Sequence, residues 1–338
     1  MSRDDDRHWE ASADYQCYEV AGEPLALGLS MAERSRPFWQ ELDQGQLEYA
    51  RQCAGVLTRY HPHLMEELEA WAHFFGGSEE HFLWYLTLGV RANPSCSAVG
   101  ILAEPGPLVM RNYDFFYFAD TRHLVTTRPD GAFTHIGMFD GLMPGRMDGV
   151  NSRGLWVSIN ALTSKPTQKQ RAGLAFHVVV RILLETCSTV SEAIEHLLDM
   201  PFVTSNAYFL ADDREMAVVE THSSGSRVRY PQEGVLVATN HYLHPHMRQF
   251  EHSSVLGNSR ARYSFLLDRA RQAISSPEPG QVLTDAMKDH RVPVCGHTDG
   301  LATFWSARAQ PARRDLCYAL GAPCRNLYRP VSWPTMVE

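Results

Sequence analysis

The 338-residue chain has no apolar run long enough to cross a bilayer. Its most apolar stretch, Leu174 to Leu184, is broken by His177 and Arg181 and falls short of the ~20 residues a span needs. No apolar segment follows the charges of MSRDDDRHWEASADY, so no secretory signal is read, and Asp4-Asp5-Asp6 reads as a solvated arm. Paired cysteine motifs are missing too. The seven cysteines (Cys17, Cys53, Cys96, Cys187, Cys295, Cys317 and Cys324) are odd in number, widely spaced and without a CxxC. Neither a disulfide framework nor a zinc knuckle is suggested, and a reducing cytoplasmic compartment is expected. Basic residues are not in excess: 31 Lys and Arg against 39 Asp and Glu give a net charge of −8. That balance argues against a nucleic-acid partner. The chain lacks a GxGxxG or Walker pattern, so no cofactor is expected, and it lacks low-complexity linkers and solenoid periods.

What is present is a globular composition, 44% hydrophobic and 21% charged, long enough for one large or two smaller domains. Ser35 to Tyr60 reads as helical. His63 to Phe75 sets Leu64, Leu68, Trp71 and Phe75 on one helical face. Ser78 then caps a helix that passes Leu83 and Leu86 and stops near Asn93-Pro94. Beyond Pro94 the texture becomes that of strands, over 97–102, 108–118, 133–139 and 150–160, the last interrupted by the turn Asn151-Ser152-Arg153-Gly154. Helices are expected over 174–186 and 191–200, the second capped by Ser191. Strands follow over 207–210, 216–220 and 235–239, then a helix over 259–274 and a hairpin of 302–307 with 316–320. The class is α+β, in layers.

Cys96 begins a strand just after Asn93-Pro94-Ser95. Downstream, polar residues flank apolar strands: Arg111, Asn112 and Asp114 in MRNYDFF, Asn160 in VSINAL, Asn240 and His241 in VATNHY, and Arg262 in SRARYSF. Scaffolds display functional groups at such places. Taken singly, each has a plainer reading: a buried apolar thiol, a turn, an ion pair. His241, His244, His246 and His252 lack partnering cysteines or carboxylates, so they read as a loop, and no metal site is assigned.

The ordered set resembles the cysteine-type N-terminal nucleophile (Ntn) hydrolases, in the branch of acyl-coenzyme A:isopenicillin N (6-aminopenicillanic acid) acyltransferase, with choloylglycine hydrolases as distant kin. Gly22-Glu23-Pro24-Leu25 with Gly28 looks like the opening strand and turn, CSAVG the nucleophile strand, and RNYDFF the next. GRMDGVNSRGLWVSINAL, ATNHYL, SRARYSFLL and TFWSARAQPARRDLCYALGAPC look like the later motifs, in the family's order. The resemblance implies an αββα sandwich of two antiparallel sheets between helical layers. It implies a self-processing amidohydrolase or acyltransferase for a small N-acyl amide or acyl thioester, with a place in secondary metabolism.

By the same resemblance the Ser95–Cys96 bond would be cleaved. Residues 1–95 would remain as a helical propeptide or small subunit on a catalytic core of 96–338, the two forming one domain, and homo-oligomers are compatible with it. Cys96 would then hold both a thiol, pKa ~8.5, and an α-amine, pKa ~7.7–8, as nucleophile and matched base. Asp114, 114 − 96 = 18 residues on, would orient the new ammonium. Arg111 would favour the thiolate and fix Asp114. Asn240, with the Asn160 region, would hold the oxyanion. Arg262 would hold the carboxylate and amide network. Phe115, Phe116, Tyr117 and Phe118 are candidates for an acyl pocket or for core. Ser95 departs from the glycine often found before the nucleophile, which predicts slower cleavage. Arg111 fits the hydrolase relatives better than the penicillin enzyme. The alternatives are an unprocessed Cys–His hydrolase using His241 and an inactive ligand-binding protein on the same fold.

Overall fold

The computed structural model describes residues 5–88, 95–116, 120–165, 171–252, 256–297 and 301–335. The expected helix stop at Asn93-Pro94 and the pocket candidates Tyr117 and Phe118 lie outside the described residues. Helix α1 (Asp5–Ser12) and strand β1 (Asp14–Gly22) come first, then helices α2 (Pro24–Ala32), α3 (Gln44–Tyr60), α4 (Pro62–Phe74) and α5 (Glu79–Trp84). Strands β2 (Ser97–Ala103), β3 (Gly106–Phe116), β4 (Thr121–Pro129), β5 (His135–Phe139), β6 (Asp148–Asn151) and β7 (Trp156–Ala161) lead to helices α6 (Phe176–Thr186) and α7 (Val190–Asp199). Strands β8 (Asn206–Ala211), β9 (Met216–His222), β10 (Gly225–Arg229) and β11 (Val235–Ala238) follow. Helices α8 (Leu256–Ile274) and α9 (Pro279–Met287) precede strands β12 (Leu301–Gln310), β13 (Asp315–Leu320) and β14 (Arg329–Pro330).

The strands form two sheets, one ordered β1-β4-β5-β6-β7-β8-β9-β10 and the other β11-β2-β3-β12-β13-β14. Among these strands only β1 and β4 pair parallel; the other pairings are antiparallel. Helices α6 and α7 pack on the first sheet, and α8 and α9 on the second. The second sheet and its helices share a core of Val99, Ile101, Met110, Val237, Leu266 and Leu283. The result is the expected αββα sandwich. Gly100 shows how closely the sheets meet: a Cβ there would lie 2.6 Å from Met216 Sδ and 2.8 Å from Phe209 Cζ. No described helix is long and apolar enough to cross a membrane.

Local rules account for much of this. In α4, Leu64, Leu68 and Trp71 are buried on one face, as their spacing predicts. Asp43 and Gln46 form a capping box that opens α3, so Ser35 to Leu42 precede that helix instead of belonging to it. Helix α7 is capped by Thr189, which accepts from Glu192 N at 3.2 Å, not by Ser191. The turn after β6 is built by Asn151, whose Oδ1 accepts from the amides of Arg153, Gly154 and Leu155, and Gly154 takes φ 109°. Of the acidic cluster expected to be an arm, Asp5 and Asp6 open helix α1, while Asp4 lies outside the described residues. The end of that helix is tied down: Glu10 accepts from Arg325 Nη2 at 2.9 Å and Asn326 Nδ2 at 2.8 Å.

Residues before Cys96 are built into the same core as those after it. Strand β1 pairs with β4 along nine residues. Glu67 on α4 forms a buried two-pronged ion pair with Arg181 on α6, at 2.8 and 3.2 Å. Arg181 also binds Glu185, and Glu185 binds His61 Nε2 at 3.0 Å. Burial of an ion pair is tolerated when its hydrogen bonds are satisfied, as they are here.

Candidate active site

Cys96 directly precedes β2, and its neighbour strand β3 carries Arg111, Asn112 and Asp114. Strands alternate sides, so Arg111 and Tyr113 face one way and Asn112 and Asp114 the other along regular backbone. Here β3 and β12 slip register between Thr303 and Trp305, beside Asp114. That irregularity accompanies a site where Arg111, Tyr113, Asp114 and Phe115 all line one small pocket with Cys96. Ile159, Ala161, Phe176 and Asn206 complete it. The cavity measures about 20 Å³, room for roughly one water.

Asp114 is fully buried. Its Oδ1 accepts from the Thr303 hydroxyl at 2.7 Å, while Oδ2 has no hydrogen-bond partner among the described residues. Burial pushes its carboxyl up to about 7, against the pull of the Thr303 hydrogen bond and the charges of Arg262, His297 and Arg111. The Cys96 thiol lies 3.9 Å from the Asp114 carbonyl oxygen. Burial raises its pKa, with the Arg111 charge the largest opposing effect, so the thiol is protonated at neutral pH.

Arg262 connects the pieces. Its Nη1 donates to the Cys96 carbonyl at 2.7 Å and to Ser97 Oγ at 2.8 Å, and Nη2 donates to Asn240 Oδ1 at 2.8 Å. Nε reaches Asn258 Oδ1 one turn earlier on α8 at 3.0 Å. Asn240 follows β11, and its Nδ2 gives one hydrogen to Ala161 O at 2.9 Å, leaving a second. Asn160 on β7 donates from Nδ2 to Ala238 O at 3.3 Å, and its buried Oδ1 has no partner among the described residues.

The structure thus brings Cys96, Arg111, Asp114, Asn160, Asn240 and Arg262 into one region, with Ser95 buried beside Cys96. Two expected roles change. Arg111 does not fix Asp114: its guanidinium binds Asp148 and donates from Nη2 to Ile159 O at 2.7 Å. Asp148 also accepts from Trp305 Nε1 and Tyr318 Oη, each at 2.8 Å, which holds this buried carboxylate in place. The hydrogen bond that fixes Asp114 comes from Thr303, and Arg262 reaches the amide Asn240 and not the carboxylate. Asp148 and Thr303 both lie inside motifs of the resemblance, but nothing in their spacing marks them. His241 is held elsewhere: its Nδ1 meets Ser259 Oγ at 2.8 Å and Thr239 Oγ1 at 3.1 Å. Phe115 lines the pocket; both it and Phe116 are partly buried at the end of β3, and Phe116 is not among the pocket's lining residues. His244 and His246 form a loop pair with rings tilted at 55° and centroids 5.5 Å apart.

A family model described as acyl-coenzyme A:6-aminopenicillanic acid acyl-transferase matches residues 102–323, that is 323 − 102 + 1 = 222 of 338. The chain belongs to this family. The matched span holds Arg111, Asp114, Asn160, Asn240 and Arg262 and begins six residues after Cys96 (102 − 96 = 6). Among solved structures, an N-acylethanolamine-hydrolyzing acid amidase ortholog from Caenorhabditis elegans is similar at 15% identity and TM-score 0.50, over 64% of this chain and 93% of that one. This likeness bears on the fold, which is that of the Ntn hydrolases. Penicillin V acylase from Agrobacterium tumefaciens matches at 14% identity and TM-score 0.46, over 72% of this chain and 99% of that one. A mutant conjugated bile acid hydrolase from Clostridium perfringens matches at 14% and 0.43, over 71% and 99%. No curated protein sequence matches significantly. Membership in this family places the chain in an acyltransferase class of enzymes.

Proposed function

We propose that the chain is a self-processing N-terminal cysteine amidohydrolase that cleaves a small N-acyl amide through a Cys96 thioester, with acyl transfer as a second outcome of the same intermediate. The observation that carries this reading is the buried, unpartnered Asp114 Oδ2 in the pocket of Cys96. An unsatisfied buried carboxylate oxygen is costly, and an ammonium on Cys96 would satisfy it.

Maturation begins as the Cys96 thiol attacks the Ser95 carbonyl carbon. The Ser95–Cys96 C–N bond breaks, the nitrogen gains a proton, and Ser95 is left as a thioester on Sγ. Water hydrolyses that ester, giving a Ser95 carboxylate and a free Cys96 α-amine. In turnover the amine takes the thiol proton and the thiolate attacks the acyl carbon of the substrate. Asn240 Nδ2 donates its remaining hydrogen to the oxyanion, with a backbone amide near Asn160 as the second donor; losing one such donor costs roughly 10²–10³ in kcat. Collapse expels the amine, which takes the proton from Cys96 N. Water or an amine acceptor then resolves the thioester. Arg111, clamped by Asp148, supplies the positive charge that favours thiolate. Tyr113, Phe115, Ile159 and Phe176 give the space beside Cys96 an apolar wall, and an acyl group needs that space widened beyond its present 20 Å³ or so.

Alkylation tests the reading. Iodoacetamide should label Cys96 fastest of the seven thiols and abolish hydrolysis of a panel of N-acyl amides in step with labelling. Full activity after stoichiometric Cys96 alkylation would overturn it.

A further inference from the structure

Four side chains outside the Cys96 pocket converge behind Asp114. His290, Cys295 and His297 lie between α9 and β12, and Cys324 lies in the turn between β13 and β14. Each offers one ligand atom, and all four atoms lie within 4.8 Å of one another. Cys295 Sγ is 3.3 Å from His297 Nε2, which is 3.2 Å from Cys324 Sγ. A zinc ion with Zn–S of about 2.3 Å and Zn–N of about 2.0–2.1 Å has tetrahedral edges of roughly 3.3–3.8 Å. These two contacts come within a few tenths of an ångström of that figure, and the widest separation in the set, up to 4.8 Å, has to close by about 1 Å around an ion. Cys295 and His297 are buried, and the His290 Nε2 atom is buried with no hydrogen-bond partner among the described residues.

We propose that His290, Cys295, His297 and Cys324 bind one zinc ion in a closed, structural Cys2His2 site. Two thiolates and two neutral imidazoles suit a borderline-soft tetrahedral ion and leave a neutral centre, with the two thiol protons released to solvent. Both arms are fixed independently of a metal. Asn112 Nδ2 on β3 donates to Val294 O and Met287 O, each at 2.9 Å, and Glu10 accepts from the Ala322 amide at 3.1 Å.

The site has a direct line to the pocket. Gly296, between two ligands, donates its amide to Thr303 Oγ1 at 2.8 Å and accepts from Thr303 N at 3.1 Å. Thr303 is the residue that binds Asp114 Oδ1. The metal therefore fastens the turn after β13 to the loop that positions Thr303 and, through it, Asp114.

Metal analysis of the full chain, made without a metal-binding tag in zinc-supplemented medium, tests this. About one zinc per chain is expected, falling at least tenfold in Cys295→Ser and Cys324→Ser and unchanged in Cys17→Ser, whose exposed thiol is outside the cluster. Should the cysteine variants fail to accumulate, cobalt exchanged into the wild type should give tetrahedral d–d bands with a thiolate charge-transfer band. Substoichiometric zinc in the wild type, iron in its place, a Cys295–Cys324 disulfide in the non-reduced peptide map, cobalt without thiolate bands, or variants that keep their zinc would each overturn the proposal.

Discussion

Arg262 donates through Nη1 to the carbonyl of Cys96, 166 residues away in sequence, at 2.7 Å. The same guanidinium holds Asn240 Oδ1, so one rigid fork sets the distance between Cys96 and Asn240, the proposed nucleophile and the proposed oxyanion donor. Lysine is a single point charge and cannot hold both. Arg262→Lys is expected to lower kcat by about 10²-fold, the loss of one to two charge-assisted hydrogen bonds. Steady-state kinetics check this, and a loss below about threefold would remove Arg262 from the positioning machinery.

Thr303 and Asp114 pair directly across β3 and β12. Removing the hydroxyl in Thr303→Val leaves both carboxylate oxygens without a side-chain donor, at a cost of roughly 1.5–3 kcal/mol, or about 10–100-fold in rate. Thr303→Ser should restore most of it. Rates for the two variants under identical conditions, with a circular dichroism control for folding, decide the matter.

Glu67 and Arg181 join the segment before Cys96 to the segment after it. Glu67→Ala removes two charge-assisted hydrogen bonds but leaves Arg181 paired with Glu185, so it should destabilise the fold by about 1.5–3 kcal/mol. Cleaved Glu67→Ala protein should release its 1–95 fragment at lower urea than cleaved wild type. Gel filtration in graded urea measures this.

Burial holds the His241 ring down to about 4, helped by the charges of Arg260, Arg229, Arg262 and Arg248. The unfolded chain, with an ordinary value near 6.5, therefore binds more protons than the folded one between pH 4 and about 6.5. Stability from this group is present above about pH 6.5 and is lost as pH falls towards 4, by about 2 kcal/mol at pH 5. His177, buried and also held at about 4, acts in the same direction, whereas Asp114 and Asp140, raised by burial to about 7 and about 6, oppose it. Comparing His241→Gln with wild type isolates the one term. The fall in unfolding free energy from pH 7 to 5 should be smaller in the variant by about 2 kcal/mol. The variant should also keep turnover within about tenfold, whereas a Cys–His hydrolase would lose it.

Periodicity and turn chemistry made α4, α6, β2 and the β6–β7 hairpin legible, because their apolar residues face a core at regular spacing. Strand β4 was not legible. Its Arg122 and His123 are buried polar groups that hydrogen-bond Tyr15 and Asp14 on β1, partners that a linear reading cannot supply. Helix α9 is short and begins at Pro279, after a bend, so it reads as loop. In the site, Cys96, Asp114, Asn240 and Arg262 stood out through the order of their motifs. Asp148 and Thr303 did not, since strand register alone brings them to Arg111 and Asp114. The same limit hid the convergence of Cys295 with Cys324, which follows β13 and lies 29 residues on with no CxxC to mark either (324 − 295 = 29).

The Ser95–Cys96 bond is the feature on which the proposed function turns. Intact mass of freshly purified and incubated protein, beside Cys96→Ala, tests it most directly. Wild type is predicted to yield fragments 1–95 and 96–338, their masses summing to the chain plus one water, while Cys96→Ala stays whole. A fully active wild type that persists as one uncleaved chain, or cleavage at the same bond in Cys96→Ala, would contradict it.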